Sequence, residues 1–235
     1  MYIIFKAIHM LINLKCIPPF LLPINGLYIA IKGHSRLFVP SPRGDWRSFY
    51  IRKPSVKVNG TCLIVGATVG AGIISLAKSA RKIIAIEPEP KNIKCLLLNV
   101  KLHNLGDKVI IVPKAAWSRK GIMKLYKTLT ITGHTLKPEV DPDKPYTGET
   151  VAVEVDTLDN ILSMLNIRFI DFCAINAEGA EFEILKGFER SIKSVKRISI
   201  ACHSFNLLTQ YKAFLEKMEF KVKILQGNSI YAVRS

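Results

Sequence analysis

The sequence contains few cysteines, and none of them form a close pair. Its five cysteines are widely spaced, their number is odd, and no C-x-x-C occurs. This pattern argues against a disulfide framework and against a zinc site built on closely spaced thiolates. It fits buried thiols in a reducing compartment, so we expect a cytoplasmic protein without a bound metal.

The apolar N-terminal stretch is too short to cross a membrane. Residues 16–31 carry no charge, but they are fewer than a membrane span requires and three prolines interrupt them. No small-residue cleavage site typical of a signal peptide follows. We therefore expect no transmembrane segment. We assign residues 1–55 to an irregular N-terminal extension or lid and residues 56–235 to the main domain.

Acidic residues are scarce relative to basic ones. The chain has 18 Asp and Glu against 34 Lys and Arg, a formal net charge of +16. Such a surplus favours anionic partners, namely nucleic acid, acidic lipid headgroups or a charged small molecule. The basic residues are spread along the whole chain rather than gathered in one arm. The favoured interpretation is therefore a solvated, lysine-rich surface.

Two familiar phosphate-binding signatures are missing from a glycine-rich loop. The segment LIVGATVGAG, residues 63–72, places Gly66, Gly70 and Gly72 after an apolar run. This spacing is not the G-x-G-x-x-G of dinucleotide-binding folds, and no Gly-Lys-Ser/Thr follows as in a P-loop. The loop alone predicts a tight strand-to-helix turn, where glycine tolerates positive φ or the approach of a ligand.

Segments typical of strands and of helices alternate from residue 61 onwards. TCLIV, KIIAIEP and KVIIVP predict buried strands, and GIISLAKSA and PKNIKCLLLNVKLHNLG predict the helices between them. The final segment, FKVKILQGNSIYAVRS, predicts a hairpin that turns at residues 226–228. We therefore expect an α/β fold, with a doubly wound and mostly parallel sheet that ends in an antiparallel hairpin.

An acid ends the second predicted strand. Glu87 lies at the end of that strand and is followed by Pro88. Ligands of open α/β sheets bind beyond the carboxyl ends of the strands. A carboxylate there can accept hydrogen bonds from both hydroxyls of a ribose. The glycine loop and this acid together predict an adenosine-containing ligand, and a solvated glutamate at a strand end is the alternative.

Five blocks of the sequence resemble the FkbM-type family of S-adenosylmethionine-dependent methyltransferases. They are VGATVG (65–70), AIEPEPKN (85–92), LLLNVKLHN (96–104), VEVDTLDNIL (153–162) and INAEGAEFEILKG (175–187). The resemblance implies a Rossmann-like class I methyltransferase fold of about seven strands with a C-terminal antiparallel hairpin. It also implies S-adenosyl-L-methionine as cofactor and methyl transfer to a hydroxyl oxygen, often on a sugar, a glycan or a small metabolite.

The cofactor would contact four loops at one rim of the sheet. After the third predicted strand, the small side chains Ala115 and Ala116 would let the adenine approach closely. Asn176 lies at the end of the fourth predicted strand. The predicted cofactor-binding residues are Gly66, Ala67, Thr68, Gly70, Glu87, Pro88, Ala115, Ala116 and Asn176.

Three residues are candidates for the chemistry of methyl transfer. A sulfonium methyl is already activated, so the protein mainly aligns the reactants, and a hydroxyl acceptor profits from a general base. Glu178 would face the acceptor or the methionine end of the cofactor. Glu181 would be catalytic or would cap a helix. His203 would accept the hydroxyl proton or serve structure. His134, in a long loop, is interpreted as a surface residue, with a lid residue as the alternative.

Three positions depart from the family pattern and keep other functions open. Ile64 and Asn176 stand where the family usually has Asp, and Ala174 stands where it usually has Lys. The first Asp usually helps to hold the cofactor's amino group. Its loss predicts weaker cofactor binding, substitution by another acid, or a degenerate fold that binds a ligand or partner without catalysis. A further alternative is an RNA methyltransferase. Its support is the net charge and the basic, aromatic segment PSPRGDWRSFYIRK, residues 40–53.

Overall fold

The structure is a computed structural model that describes residues 20–24, 27–32, 35–40, 58–203, 207–225 and 229–234. Its strands are β1 (Phe20–Ile24), β2 (Leu27–Lys32), β3 (Ser35–Val39), β4 (Thr61–Val65), β5 (Lys82–Ile86), β6 (Val109–Val112), β7 (Ala115–Ala116), β8 (Gly121–Thr128), β9 (Tyr146–Asp156), β10 (Phe172–Ile175), β11 (Arg197–Ala201), β12 (Phe220–Leu225) and β13 (Ser229–Arg234). Its α-helices are α1 (Ala71–Leu76), α2 (Pro90–Leu102), α3 (Leu158–Met164), α4 (Glu181–Lys186) and α5 (Leu208–Lys217).

Seven strands form the central sheet in the order β12-β13-β11-β10-β4-β5-β6. Strands β11, β10, β4, β5 and β6 pair in parallel. Strand β13 is antiparallel to both β11 and β12. The expected doubly wound sheet with a C-terminal antiparallel hairpin is therefore confirmed. The predicted turn at residues 226–228 lies outside the described residues.

Helices cover both faces of the central sheet, and an apolar cluster lies under each set of helices. Successive side chains of a strand point to opposite faces, so one strand contributes to both clusters. On β4, Leu63 and Val65 join a large apolar cluster with residues of α3, α4 and α5. Cys62 points the other way, into a cluster with residues of α1 and α2. This explains why β4 and β5 read as continuous apolar runs rather than as alternating ones.

A second sheet, of order β7-β9-β8, extends from the carboxyl rim of the central sheet. Strands β8 and β9 pair in antiparallel fashion, and β7 pairs in parallel with β9. The connection between β8 and β9, residues 129–145, is called the rim loop below. It includes a 3₁₀ turn at Pro138–Val140.

The described part of the N-terminal region forms a third, antiparallel sheet of order β1-β2-β3. The backbone of Phe38 exchanges two hydrogen bonds with the side chain of Asn99 on α2, at 2.6 and 2.9 Å. Leu37 and Val39 pack in one cluster with Val69 and Ile131. The segment was expected to be irregular, and the structure corrects this. The expected domain boundary between residues 55 and 56, and nearly all of the basic, aromatic segment, lie outside the described residues.

In the part of the chain that the structure describes, no helix has both the length and the apolar character that a membrane crossing requires.

Candidate functional site

The loop after β4 turns sharply because several of its residues have positive φ. The φ angles are +80° at Gly66, +48° at Thr68 and +90° at Gly70. The N–H groups of Gly66 and Ala67 both donate to the carbonyl of Ile86, at 3.0 Å. A β-carbon on Gly66 would collide with the backbone carbonyl oxygen of Asn176. Glycine is therefore required here by its φ and by close packing against the loop after β10.

The Glu87 carboxylate is buried at the end of β5, and the side chain is only 4% exposed. One oxygen, Oε2, accepts the N–H of Thr68 at 2.7 Å. The other, Oε1, accepts the N–H of Glu89 at 3.1 Å and the side-chain amide of Asn92 at 3.3 Å. Burial raises the pKa of Glu87 to about 7, although these three donors act to lower it. The geometry argues against a solvated glutamate at a strand end.

A cleft of about 530 Å³, counting its open mouth, lies between the glycine loop, the end of β5, β7 and the loop after β10. Most of the predicted cofactor-binding residues line it: Gly66, Thr68, Glu87, Pro88, Ala115, Ala116 and Asn176. Two of them do not. Ala67 packs in the core cluster that contains α1, and Gly70 lies against Leu96.

The turn after β10 brings polar side chains together at the mouth of the cleft. Glu178 lines the cleft and has a φ of +52°, a strained conformation for a residue with a side chain. Two rim-loop residues hold it. Lys144 Nζ lies 2.7 Å from Glu178 Oε2, and the hydroxyl of Thr135 donates to the Glu178 carbonyl at 2.7 Å. His203 Nε2 lies 2.7 Å from Asn176 Oδ1 and 3.7 Å from Glu178 Oε1.

Glu181 lies behind this turn, with no exposed surface. Its carboxylate accepts the N–H of Ala177 at 3.0 Å and the N–H of Gly179 at 3.1 Å. Burial raises the pKa of Glu181, and His203 acts to lower it. A fully buried carboxylate cannot touch a methyl acceptor bound in the cleft, so this geometry argues against the catalytic role predicted for Glu181. The Glu181 carboxylate instead fixes the backbone of the turn that carries Glu178.

His134 and Asn92 also line the cleft, and the sequence indicated neither of them. His134 was predicted to be a surface residue, yet it lines the cleft. Its Nδ1 accepts the N–H of Thr128 at 3.1 Å, and burial lowers its pKa. Because Nδ1 accepts this hydrogen bond, the proton of the ring lies on Nε2. Asn92 lines the cleft from the first turn of α2. Its spacing, five residues after the strand-end acid, is the signal that would have found it.

Two of the departures from the family pattern are neighbours in the sheet. Ile64 and Ala174 are register partners on β4 and β10. Both are half-buried and pack against the same apolar cluster, and neither lines the cleft. At these neighbouring positions, where the resemblance to the family implies Asp and Lys, this chain has two apolar side chains. The cleft retains the carboxylates of Glu87 and Glu178.

The two aspartates near α3 are bonded within the fold. Asp159 accepts the N–H groups of Arg190 and Ser191 at 3.0 and 2.7 Å. Asp156 accepts the N–H of Thr157, which is the N-cap of α3. Among the residues that the structure describes, no group of three or more His, Cys, Asp or Glu side chains is placed to hold a metal ion.

The seven-stranded sheet with one antiparallel strand, and a cleft at its carboxyl rim, define a class I methyltransferase fold. The family model of the Methyltransferase FkbM domain matches residues 65–222, more than half of the chain. The chain belongs to the FkbM methyltransferase family, as its sequence blocks indicate.

The chain is similar to several solved structures of methyltransferases, and the first of them shares its fold. The Methyltransferase FkbM of Methylobacillus flagellatus KT has a TM-score of 0.56 and 15% identity, over 81% of this chain and 48% of that one. The precorrin-6y C5,15-methyltransferase of Geobacter metallireducens GS-15 gives 0.46 and 16%, over 78% and 84%. Trm5 of Methanocaldococcus jannaschii in complex with adenosine gives 0.45 and 18%, over 90% and 55%. The chain thus spans about half the length of the first of these proteins. No curated protein matches the sequence.

Proposed function

We propose that this protein is an S-adenosylmethionine-dependent methyltransferase that methylates a hydroxyl oxygen of a sugar, a glycan or a small metabolite. The observation that carries the proposal is the buried Glu87 carboxylate, which lines a cleft beside the glycine loop. Membership of the FkbM methyltransferase family supports methyl transfer. The cofactor and the acceptor class are our inferences from the site.

The residues of the cleft fit an adenosyl ligand. Glu87 supplies an acceptor for a ribose hydroxyl, and Ala115 and Ala116 leave space for a flat base. The Asn92 Oδ1 atom is buried and has no hydrogen-bond partner among the described residues. A buried acceptor without a partner in a cleft is a mark of a site that binds a hydrogen-bond donor.

When bound, the cofactor would supply a sulfonium methyl group whose leaving group needs no further activation. The chain would then have to orient the acceptor hydroxyl and take up its proton. We assign the proton to His203, because its ring is partly exposed and contacts Asn176 and Glu178, which line the cleft. The carboxylates of Glu178 and Glu181, at 3.7 and 3.9 Å, stabilise the positive charge that the ring acquires.

The position of the N-terminal sheet supports our proposal that residues 1–55 form an extension or lid over a main domain of residues 56–235. Strand β3 packs against α2, and its side chains share a cluster with Val69 of the glycine loop and Ile131 of the rim loop. These two residues flank the cleft, so the N-terminal sheet would hold both of its walls in place.

The proposal is tested by incubating the protein with methyl-labelled S-adenosylmethionine and three separate acceptor pools. The pools are sugars with glycans, small hydroxylated metabolites, and RNA. We expect label in one of the first two pools, and we expect His203→Gln to remove it while cofactor affinity is retained. The matched control is His103→Gln, because the His103 ring bonds the Arg36 carbonyl on the N-terminal sheet and does not line the cleft.

RNA is the second candidate acceptor, favoured by the net charge of +16. Label in the RNA pool alone would support it and would contradict the proposal that the acceptor is a sugar, a glycan or a small metabolite. Tight cofactor binding without label in any pool would favour the degenerate fold that the changes at Ile64, Ala174 and Asn176 prompted.

A further inference from the structure

Glu87 has too few free acceptor positions to bind both hydroxyls of a ribose. An ionised carboxylate offers about four lone-pair positions. Three of them receive donors from the protein, namely the N–H groups of Thr68 and Glu89 and the amide of Asn92. One position remains for a ligand, whereas the two ribose hydroxyls bring two hydrogens. A second acceptor beside Glu87 is therefore needed.

Asn92 carries an acceptor of this kind. Its side-chain amide donates both hydrogens, to Glu87 Oε1 at 3.3 Å and to the carbonyl of Ile131 at 3.0 Å. Turning the amide over would place Oδ1 against these two oxygens, so the orientation is fixed. The residue is 1% exposed and lines the cleft, and Oδ1 has no partner among the described residues.

We propose that Asn92 and Glu87 divide the ribose of an adenosyl ligand between them, with Asn92 Oδ1 accepting one hydroxyl and Glu87 the other. The inference rests on the proposed adenosyl cofactor and adds Asn92 to the residues that contact it. It also predicts selectivity, because a ligand that lacks either hydroxyl leaves one buried acceptor unpaired.

A loss of binding in an Asn92 variant is not by itself enough to support this role. Asn92 also anchors Glu87 and the rim loop, and its own N–H is capped by Glu89 at 2.7 Å. A purely structural residue would lower the affinity for every ligand alike. A residue that accepts one hydroxyl lowers it only for ligands that carry this hydroxyl, and that difference is measurable.

The experiment measures the dissociation constants of adenosine, 2′-deoxyadenosine and 3′-deoxyadenosine by calorimetry. The proteins are the wild type, Asn92→Ala, Glu87→Gln and the double variant. Asn160→Ala is the matched control, because that amide bonds Asp156 away from the cleft. Asn92→Ser serves as a second variant if the alanine variant does not fold.

We expect the wild type to bind each deoxynucleoside roughly tenfold more weakly than adenosine, the usual effect of one unpaired polar group. Asn92→Ala should bind adenosine and one of the two deoxynucleosides equally well, and should keep its preference for adenosine over the other. The double variant should lose the same preference when it is compared with Glu87→Gln. If Asn92→Ala weakens the binding of all three nucleosides equally, the inference is overturned. It is also overturned if Asn92→Ala removes the preference in the wild-type background but not in the Glu87→Gln background. If the wild type binds neither adenosine nor S-adenosylhomocysteine, the proposed function itself fails.

Discussion

Two glycines of the same loop and helix are expected to respond in opposite ways to one added methyl group. Gly66 has a φ of +80°, and a β-carbon there would collide with the Asn176 carbonyl oxygen. The Asn176 oxygen is a backbone atom, so it cannot move away from the added β-carbon by a side-chain rotation. Gly72 lies in α1, and a β-carbon there would meet nothing within 4 Å. The substitutions Gly66→Ala and Gly72→Ala therefore form a matched pair.

The expected free-energy changes follow from these two environments. A left-handed conformation costs alanine about 1–2 kcal/mol. Overlap with fixed atoms adds about 1–3 kcal/mol. Gly66→Ala should thus lower the free energy of unfolding by about 2–5 kcal/mol, a large share of a typical total. Gly72→Ala should raise it by about 0.5–1 kcal/mol, because glycine is the poorer residue within a helix.

Urea unfolding followed by circular dichroism measures both changes, with the wild type as reference. Gly66→Ala should also weaken the binding of S-adenosylhomocysteine, because the displaced backbone carries Asn176 at the mouth of the cleft. Equal stability of the two variants would show that the loops after β4 and β10 do not pack as described, and the reasoning would be refuted.

Three further variants, one of them with a matched control variant, test the charges of the site and of the fold. Because the pKa of Glu87 is raised from 4.5 to about 7, its contribution to stability is complete below pH 4.5 and is lost as the pH rises through 7. Between these two pH values the free energy of unfolding of the wild type, measured with urea, should fall by about 3 kcal/mol because of Glu87. Glu87→Gln should remove this decline, and parallel curves of the free energy of unfolding against pH for variant and wild type would contradict the prediction. Lys144→Met leaves Glu178 without its partner at 2.7 Å, between side chains that are 14% and 13% exposed. It should lower thermal stability by about 1–3 kcal/mol, whereas Lys212→Met, which breaks an exposed pair, should change it by less than about 0.5 kcal/mol. Asp159→Asn removes an acceptor of backbone N–H groups and should cost about 1–2 kcal/mol while S-adenosylhomocysteine affinity stays the same; a change in affinity would place Asp159 in the site.

The central sheet was predictable because its strands are continuous apolar runs separated by amphipathic helices. The N-terminal sheet was not, because β1 contains Pro23 and its pattern is not that of a central strand. Proline is compatible with β1 because this strand lies at the edge of its sheet. What stabilises that sheet is its packing on α2, which no local pattern shows.

The candidate site was predictable where its signal is local. A glycine loop and an acid at a strand end, here Glu87, are short patterns whose place at the rim follows from the fold. His134 lines the cleft and Lys144 contacts Glu178 because the rim loop folds back towards the cleft, which depends on tertiary structure. The pair of acids in EGAE was ambiguous for the same reason. The positive φ of Glu178 turns that side chain to the cleft and leaves Glu181 buried.

Calorimetric titration of S-adenosylhomocysteine into the wild type and into Glu87→Ala tests the central claim most directly. The account predicts saturable one-to-one binding to the wild type. It predicts no binding to the variant, whose circular dichroism spectrum should match that of the wild type. Glu216→Ala, at an exposed position on α5, should bind as the wild type does. An absence of binding to the wild type, or equal affinity in Glu87→Ala, would contradict the account.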